Sequence, residues 1–508
     1  MLLTDLVRTS HDVAATRSRT VKTGLLAEAL RAAGPDEVEL VATYLAGSPR
    51  QRRTGLGWRG LADLPEPAVE PALGVTDVDD ALESAAALSG AGSAARRSEL
   101  VRQLFARATD EEQGFLRALV LGNLRQGALD SLLLDAIAKA AEVPVTVVRR
   151  AAMFTPASGE VAAAAFTGGR AALESFGLVP GRPVRPMLAS SAPDVAGALA
   201  KVTGPVLVDR KLDGIRVQVH RVGEEVRVFT RSLDDITDRL PEVVDAARGL
   251  PAEVAVLDGE VIALRPDGRP RPFQETAART ASAGDVTEQR RRTPLTVQLF
   301  DLLHLDGRDL LDEPGSVRRD ALLALAPNLV VPGLVTVDPA AAAEFFADSL
   351  AAGHEGVVVK SLEVPYAAGR RGAGWVKVKP RHTLDLVVLA VEWGSGRRQG
   401  RLSNIHLGAR DPDNGGYALL GKTFKGMTDE MLRWQTERFL ELETHRSGHV
   451  VHVRPEQVVE VAFDGIQRSS RYPAGMALRF ARVLRYRDDK PPSEADTIQT
   501  LRSLFPGV

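Results

Sequence analysis

The stretch VDRKLDGIRVQVHR, Val208–Arg221, decides how the rest of the chain is read. It scans as two β-forming runs interrupted at Lys211-Leu212-Asp213-Gly214. A lysine flanked by residues that favour burial costs free energy unless its charge is paired or its amine is used. A lysine amine is a nucleophile only when deprotonated, and nearby cations and partial desolvation favour that form. Gly214 allows a tight turn and Arg216 follows two residues later. Lys-x-Asp-Gly alone is weak, occurring by chance in on the order of one chain in ten of this length. Its context has to carry the reading.

Working outward, 508 residues exceed what one core organises and imply about three domains. Residues 1 to about 178 read as helical, rich in Ala, Leu, Arg and Glu with apolar spacing near 3.6, as in EEQGFLRALVLGNLRQGALDSLLLDAIAKAAE (111–142). A Gly/Pro-rich passage at 54–74 reads as a long loop, and GLVPGRPVRPML (177–188) as a boundary. From about 189 strand-like runs alternate with helical stretches near 234–248, 316–326 and 339–352, an α+β texture. After about 381 come five short strand-like runs and one amphipathic helix (428–443), the pattern of a small Greek-key barrel such as an OB-fold. The expected organisation is an all-α domain (1–180), an α+β domain (181–381) and a C-terminal OB-fold β-barrel (382–508).

Composition narrows the class. Apolar content is 44%, charged content 26% and formal net charge −2. A protein that merely coats nucleic acid is usually clearly basic. The arginines are nevertheless clustered, at RQRR (50–53), EQRRR (288–292), GRRGAGWVKVK (369–379), GSGRRQGR (394–401) and LRFARVLRYR (478–487), which suggests phosphate-facing patches on an otherwise acidic body. Cysteine is absent, which excludes disulfides and thiolate metal sites and fits the cytoplasm. No apolar run approaches the roughly 18 residues that span a bilayer, and the N-terminus lacks the basic-then-apolar pattern of a secretion signal.

Several charged pairs sit on strand-like runs. LDGEVIAL places Asp258 and Glu260 two apart, on one strand face. HEGVVVKS brackets an apolar run with Glu355 and Lys360. Converging carboxylates suit Mg²⁺, a hard ion that prefers oxygen ligands and shares substrate phosphates. Lys377 and Lys379 in WVKVKP share a strand face, where like charges repel unless an anion such as a polyphosphate lies between them.

The order KLDGIR, FTRS, LDGEVIAL, LFDLLHLDG, HEGVVVKS, WVKVK, followed by a small β-domain ending LRFARVLRYRDDK, resembles the covalent nucleotidyltransferases: ATP-dependent DNA ligases, RNA ligases and capping enzymes. RPMLAS (185–190) and the helical region before it resemble the ATP-dependent DNA ligases in particular. The resemblance implies ATP and Mg²⁺ (or Mn²⁺) as cofactors and nicked double-stranded DNA as partner, with Lys211 attacking the α-phosphate to form a lysyl-AMP. It implies nucleotide contacts from Asp209, Arg216, Arg231, Glu260, Phe300, Arg371, Lys377 and Lys379, with Phe300 stacking on adenine and Glu260 and Glu355 serving the metal. Asp209 stands where the family usually has a glutamate, and its shorter side chain reaches less far toward the adenine amino group. Arg482, Arg485 and Lys490 would orient pyrophosphate. Arg125, Arg397, Arg398 and Arg479 would meet DNA, and Phe273 and Phe480 would press into the minor groove beside the nick.

An NAD-dependent ligase normally carries a four-cysteine zinc module, which this chain lacks. An RNA ligase or capping enzyme, which usually lacks the long helical region, and a non-catalytic nucleic-acid scaffold are the remaining alternatives. The expected protein is a monomer with no membrane attachment, cytoplasmic, and nucleoid-associated if bacterial. Replication, repair and recombination all require nick sealing, and a sliding-clamp peptide is too short to read from one sequence.

Overall fold

A computed structural model describes residues 1–51, 54–124, 126–127, 130–281, 284–369, 371–395 and 398–504. Helices from Leu3–Ala15 to Ser158–Glu174 form the first body. Their ends carry the expected chemistry: Ser18 caps Arg19–Ala32, and Thr109 with Glu112 forms a reciprocal capping box on Asp110–Val120. Their apolar stripes meet in one core that includes Leu6, Leu26, Tyr44, Phe105, Leu116 and Ile137.

The central body is built from two five-stranded sheets. In one the order is Leu188–Ala192, Arg371–Val378, Gly356–Ser361, Val206–Lys211, Gly333–Thr336. In the other it is Glu225–Thr230, Ile215–Val222, Val254–Ala263, Leu295–Leu305, Arg308–Asp309. The Leu212-Asp213-Gly214 turn therefore does not close a hairpin; it carries the chain from one sheet into the other. Period-two alternation sorts each strand. In the first sheet Val206 and Val208, Val357 and Val359, and Val376 and Val378 fill the core behind it. Val358, Lys360, Trp375, Lys377 and Lys211 face the opposite way, into a cleft between the sheets.

The helical body is fused to the central one. Met153 and Phe154 join Val184, Met187, Leu303, Tyr366 and Trp375 in a shared apolar cluster. Arg150 forks onto Asp312 at 2.6 and 2.5 Å. The connecting segment is pinned as well: the Gly181 N–H donates to Nδ1 of His220 at 2.9 Å, while Nε2 of that ring lies 2.8 Å from the side-chain Oε1 of Gln218.

In the third body the long strand His382–Trp393 pairs antiparallel with Leu402–Arg410, Val450–Val453 and Val458–Phe463 around a core that includes Leu386, Ile405, Leu407, Phe439, Val461 and Phe463. Helix Asp429–Glu441, capped by Thr428, packs on it. This is the sheet domain expected as an OB-fold. The sequence indicates five strands. The structure adds Glu443–Ser447, Arg482–Tyr486 and the hairpin Gly465–Arg468 with Met476–Arg479. These are short pieces of four or five residues in which apolar positions such as Ile466, Met476 and Val483 reach the core but are too few to show a clear alternation in the sequence. Helix Phe273–Ala281 was likewise unexpected, and its first residue reaches the cleft.

Candidate active site

The cleft measures about 770 Å³. Both sheets, the turn that crosses between them and one edge of the third body line it. Lys211 ends its strand at the cleft floor, where its Nζ lies 2.5 Å from Oε2 of Glu355. Lys379 pairs with the other oxygen of the same carboxylate. Burial opposes charge on Glu355, but the two ammonium groups outweigh it and hold its carboxyl below the usual range. Glu260 behaves oppositely. Burial pushes it up to about 7, against the pull of Lys211 and Arg216 and a hydrogen bond from the Gly214 backbone.

Gly214 is required by proximity rather than by an unusual φ. A Cβ there would fall 2.2 Å from the carbonyl oxygen of Val261 and 2.5 Å from Ile262 Cγ2. The turn that presents Lys211 is thus pressed directly onto the strand that carries Glu260.

Arg216 is largely committed to protein partners. It forks onto buried Asp258 at 3.0 and 2.6 Å and donates to the Met187 carbonyl at 2.6 Å, and Tyr366 donates to the same carboxylate at 2.7 Å. Asp258 is therefore the counter-ion of Arg216 and not a cleft-facing metal candidate, a correction to the sequence-based pairing of Asp258 with Glu260. Arg216 lies directly opposite Glu260 and Gln218 opposite Asp258, so the two carboxylates do share a strand face; what separates them is that only Glu260 lines the cleft.

Phe300 lies on the cleft wall near two cations: Lys360 Nζ is 4.6 Å and the Arg216 guanidinium 5.4 Å from its ring centre. Trp375 meets it edge-on at 5.8 Å. Asp209 is 2% exposed, beneath this wall, with Lys360 Nζ 2.8 Å from its Oδ2. Neither Asp209 oxygen accepts a well-directed hydrogen bond, and burial pushes its pKa up against the pull of Lys360 and Arg319. Lys377 faces the cleft, and Arg231 stands exposed at its rim.

The third body closes one side. Arg479 pairs with Asp213 at 2.7 Å, so the Lys-Leu-Asp-Gly turn holds both Lys211 and the carboxylate on which the third body docks. The Arg479 guanidinium lies 5.5 Å from the ring centre of Phe273 and 5.8 Å from that of Phe480. Phe480 is exposed and has φ +54°, a conformation bulky L-residues rarely adopt. Asp464 reaches Lys379 at 3.5 Å.

Arg482, Arg485 and Lys490 do not line the cleft. They pair with Asp464 (3.3 Å), Glu460 (2.7 Å) and Asp385 (2.8 Å) on the third body itself. Arg398 donates to the Phe424 carbonyl at 2.7 Å. Arg125, Arg397 and the side chain of Arg371 lie outside the described residues. Sequence reasoning quoted Lys360 and Asp213 without giving them a role, and it missed Trp375 as a site residue. Lys360 and Trp375 carried a signal, since each stands in phase with cleft-facing neighbours on an alternating strand. Asp213 stood in the quoted Lys-x-Asp-Gly motif, but its pairing with Arg479 carried no signal, because the two lie 266 residues apart.

Residues 186–379 match the ATP dependent DNA ligase domain, residues 398–490 the ATP dependent DNA ligase C terminal region and residues 62–138 the DNA ligase N terminus. The chain is 63% identical to a probable DNA ligase of Beutenbergia cavernae, over 99% of both chains. The chain belongs to the ATP-dependent DNA ligases. It is also 61% identical to a probable DNA ligase of Kineococcus radiotolerans, over 99% of this chain and 100% of that one. The solved structure named Pmar-Lig_PreS3, 20% identical, shares the fold with a TM-score of 0.64 over 95% of this ligase and 99% of that chain. The ligase takes ATP and a divalent cation and joins DNA strands at nicks. Among the described residues no helix is long and apolar enough to cross a membrane.

The site fits such a cation in a particular way. Among the described residues no three His, Cys, Asp or Glu side chains converge on one point. Glu260 and Glu355 face one cleft with room for a polyphosphate. This donor set suits Mg²⁺, which keeps several waters and is bound through one or two carboxylates plus substrate phosphates.

Proposed function

We propose that Lys211 is the nucleophile of this ligase and that the two-sheet cleft serves all three chemical steps. The observation that carries this reading is the position of the Lys211 ammonium group. It sits on the cleft floor, 2.5 Å from a carboxylate held ionised, among Lys377, Lys379 and Glu260. As a free amine, Nζ forms a P–N bond to the α-phosphorus of ATP; the bond to the bridging oxygen breaks and pyrophosphate leaves. The 5′-phosphate of the nick then attacks the lysyl-AMP, which restores the lysine and leaves an adenylated DNA end. The 3′-hydroxyl attacks that end, a phosphodiester forms and AMP leaves. Such transfers depend on alignment and charge stabilisation more than on acid–base chemistry.

Phe300, which lies beside Lys360 and Arg216, is assigned to the adenine face. Arg216 is assigned to shaping that wall, with its fork committed to Asp258, and Arg231 to the ribose and phosphate at the rim. Lys377 and Lys379 are assigned to phosphate charge. Glu260 and Glu355 would hold the divalent ion, which supplies further neutralisation of phosphate oxygens when bound. Asp209 is assigned to the base end of the pocket, in support of which its two oxygens lack directed hydrogen bonds. Arg482, Arg485 and Lys490 are assigned to pyrophosphate, a role that requires the third body to turn. In its present setting Arg479, Phe273 and Phe480 are offered to duplex DNA instead. We read 1–180, 181–381 and 382–508 as the DNA-clasping, adenylating and OB-fold domains, supported by their separate cores. We further propose a cytoplasmic monomer, since one chain supplies every group these steps need.

The test is a single-turnover incubation with α-labelled ATP and Mg²⁺, chased with nicked DNA or nicked RNA. Label should attach to the wild-type protein, not to Lys211→Ala, and be discharged only by nicked DNA with sealing. Labelling of Lys211→Ala would refute the nucleophile assignment, and discharge onto RNA would move the substrate.

A further inference from the structure

Two phenylalanines of the third body stand largely in solvent: Phe480, 56% exposed, and Phe424, 55% exposed. The reading above uses Phe480 and leaves Phe424 without a task.

An exposed phenylalanine on a loose loop would mean little, but the backbone around Phe424 is fixed. Thr423 Oγ1 donates to the Ala481 carbonyl at 2.5 Å, and the Val483 N–H donates to the Lys425 carbonyl at 2.9 Å. Gly426 has φ +82°, and a Cβ there would fall 2.1 Å from the Val483 carbonyl oxygen. From the other side Arg398 donates to the Phe424 carbonyl at 2.7 Å and holds its guanidinium 5.9 Å from the ring centre. The 423–426 segment is therefore clamped against 481–483, next to the positive-φ position of Phe480. Both aromatic rings project from one rigid double turn.

The rings also alternate with cations. Arg479 lies between Phe273 and Phe480, and Lys425 Nζ lies 5.5 Å from the centre of the Phe480 ring on its way out. Phe424 and Arg398 continue the series at the next backbone position. It begins in the Lys211 cleft, which Phe273, Arg479 and Phe480 line, and runs outward across the third body. Leaving a phenylalanine in water forfeits the stabilisation that burial provides. Rigid aromatics interleaved with Lys and Arg match a nucleic acid, whose bases and sugars offer apolar faces and whose backbone offers negative charge. Protein interfaces also favour Phe and Arg, but they are depleted of Lys, so Lys425 beside Phe480 is what tips the patch toward nucleic acid.

We propose that Phe424 is a third duplex-contacting aromatic. It meets the minor groove farther from the nick than Phe480, with Lys425 answering a phosphate and Arg398 holding the turn. This rests on the reading that Phe273, Arg479 and Phe480 face the nick.

The experiment uses the full chain and a nicked duplex already carrying the 5′-adenylate, so that lysyl-AMP formation is bypassed. Binding is followed by anisotropy over a salt series, and sealing in single turnover. Phe424→Ala should weaken binding about tenfold, the low end of what burying a phenylalanine side chain contributes. Its salt slope should match wild type, and its labelling by α-labelled ATP should be unchanged. Lys425→Ala should lower the slope by about one, as loss of one phosphate contact does. Wild-type binding and sealing by Phe424→Ala, with Phe480→Ala impaired, would overturn the proposal and leave the wedge reading intact. Wild-type behaviour of both would overturn the two together. An equal fall in lysyl-AMP labelling by Phe424→Ala would make the residue a structural support and also overturn the proposal.

Discussion

Glu355 and Glu260 face the same cleft with opposite charge tendencies. Two ammonium groups keep Glu355 ionised, whereas burial raises Glu260 to about 7 from a usual 4.5. Carboxylates pushed apart in this way present different charge to one cleft: Glu355 is an anion paired with Lys211 and Lys379, and Glu260 is a group that would gain charge beside the cation proposed above. Because folding raises its pKa, Glu260 keeps its proton in the folded protein between about pH 4.5 and 7 while the unfolded chain has released it. Stability from this group is present at low pH and lost as pH rises through about 7. In metal-free protein, the wild-type unfolding free energy minus that of Glu260→Gln should therefore fall between pH 5 and pH 8. Urea melts of both proteins across that range would measure it, and a flat difference would show that Glu260 is not held neutral. At this scale the sequence exposed Lys211, Glu260 and Glu355, because charged residues in apolar strands are conspicuous. It misled on Asp258, whose counter-ion Arg216 lies 42 residues earlier and becomes its neighbour only when two strands pair.

The strands were legible wherever side chains alternate. Val357 and Val359 face the core while Val358 and Lys360 face the cleft, and that two-residue period is written in GVVVKS. What alternation cannot convey is which sheet a strand joins. The run Val208–Arg221 reads as two strands and a turn, but only tertiary pairing sends the first to Gly356–Ser361 and the second to Val254–Ala263. Gly214 is the price of that crossing, and the physical reason is contact rather than φ. Gly214→Ala would drive its methyl into the Val261 carbonyl, with an ideal separation of 2.2 Å. Backbone cannot retreat as a flexible side chain can, so the turn must shift and Lys211 with it. A displacement of about 1 Å in such a site costs about a hundredfold in rate. We expect lysyl-AMP formation by Gly214→Ala to fall by roughly that factor, measured in single turnover with labelled ATP, while the protein remains folded by circular dichroism. A wild-type rate would mean the turn tolerates the methyl by sliding along its strand.

At the scale of the molecule the two junctions differ in kind. The helical body shares an apolar cluster with the central one, through Met153 and Phe154, and its linker is pinned at His220. The third body is held to its neighbours by polar contacts: Arg479 with Asp213, Lys379 with Asp464, Gln274 with the Arg468 carbonyl at 3.2 Å, and Arg17 with Asp429 at 3.7 Å. Apolar clusters resist separation, whereas ion pairs that keep some contact with solvent, as Arg479–Asp213 and Lys379–Asp464 do, are weakened by salt. Domain order was legible from composition, but this asymmetry was not, since it depends on which surfaces meet. It marks the third body as the part free to move, which the function proposed above would require: in the present setting Phe480 and Arg479 line the cleft, whereas Arg485 and Lys490 are paired away from it. If that is correct, salt should open one junction and spare the other. Between low salt and 1 M, where the screening length shrinks to about 3 Å, the radius of gyration of the DNA-free protein should increase in small-angle scattering. Arg479→Ala should produce part of that expansion at low salt. The scattering should fit rotation of the third body about the segment near residue 380, with the other two bodies kept as one unit. Expansion that instead required the helical body to detach would place the hinge at the other junction, and an unchanged radius in both proteins would mean that the polar contacts are as firm as the apolar ones.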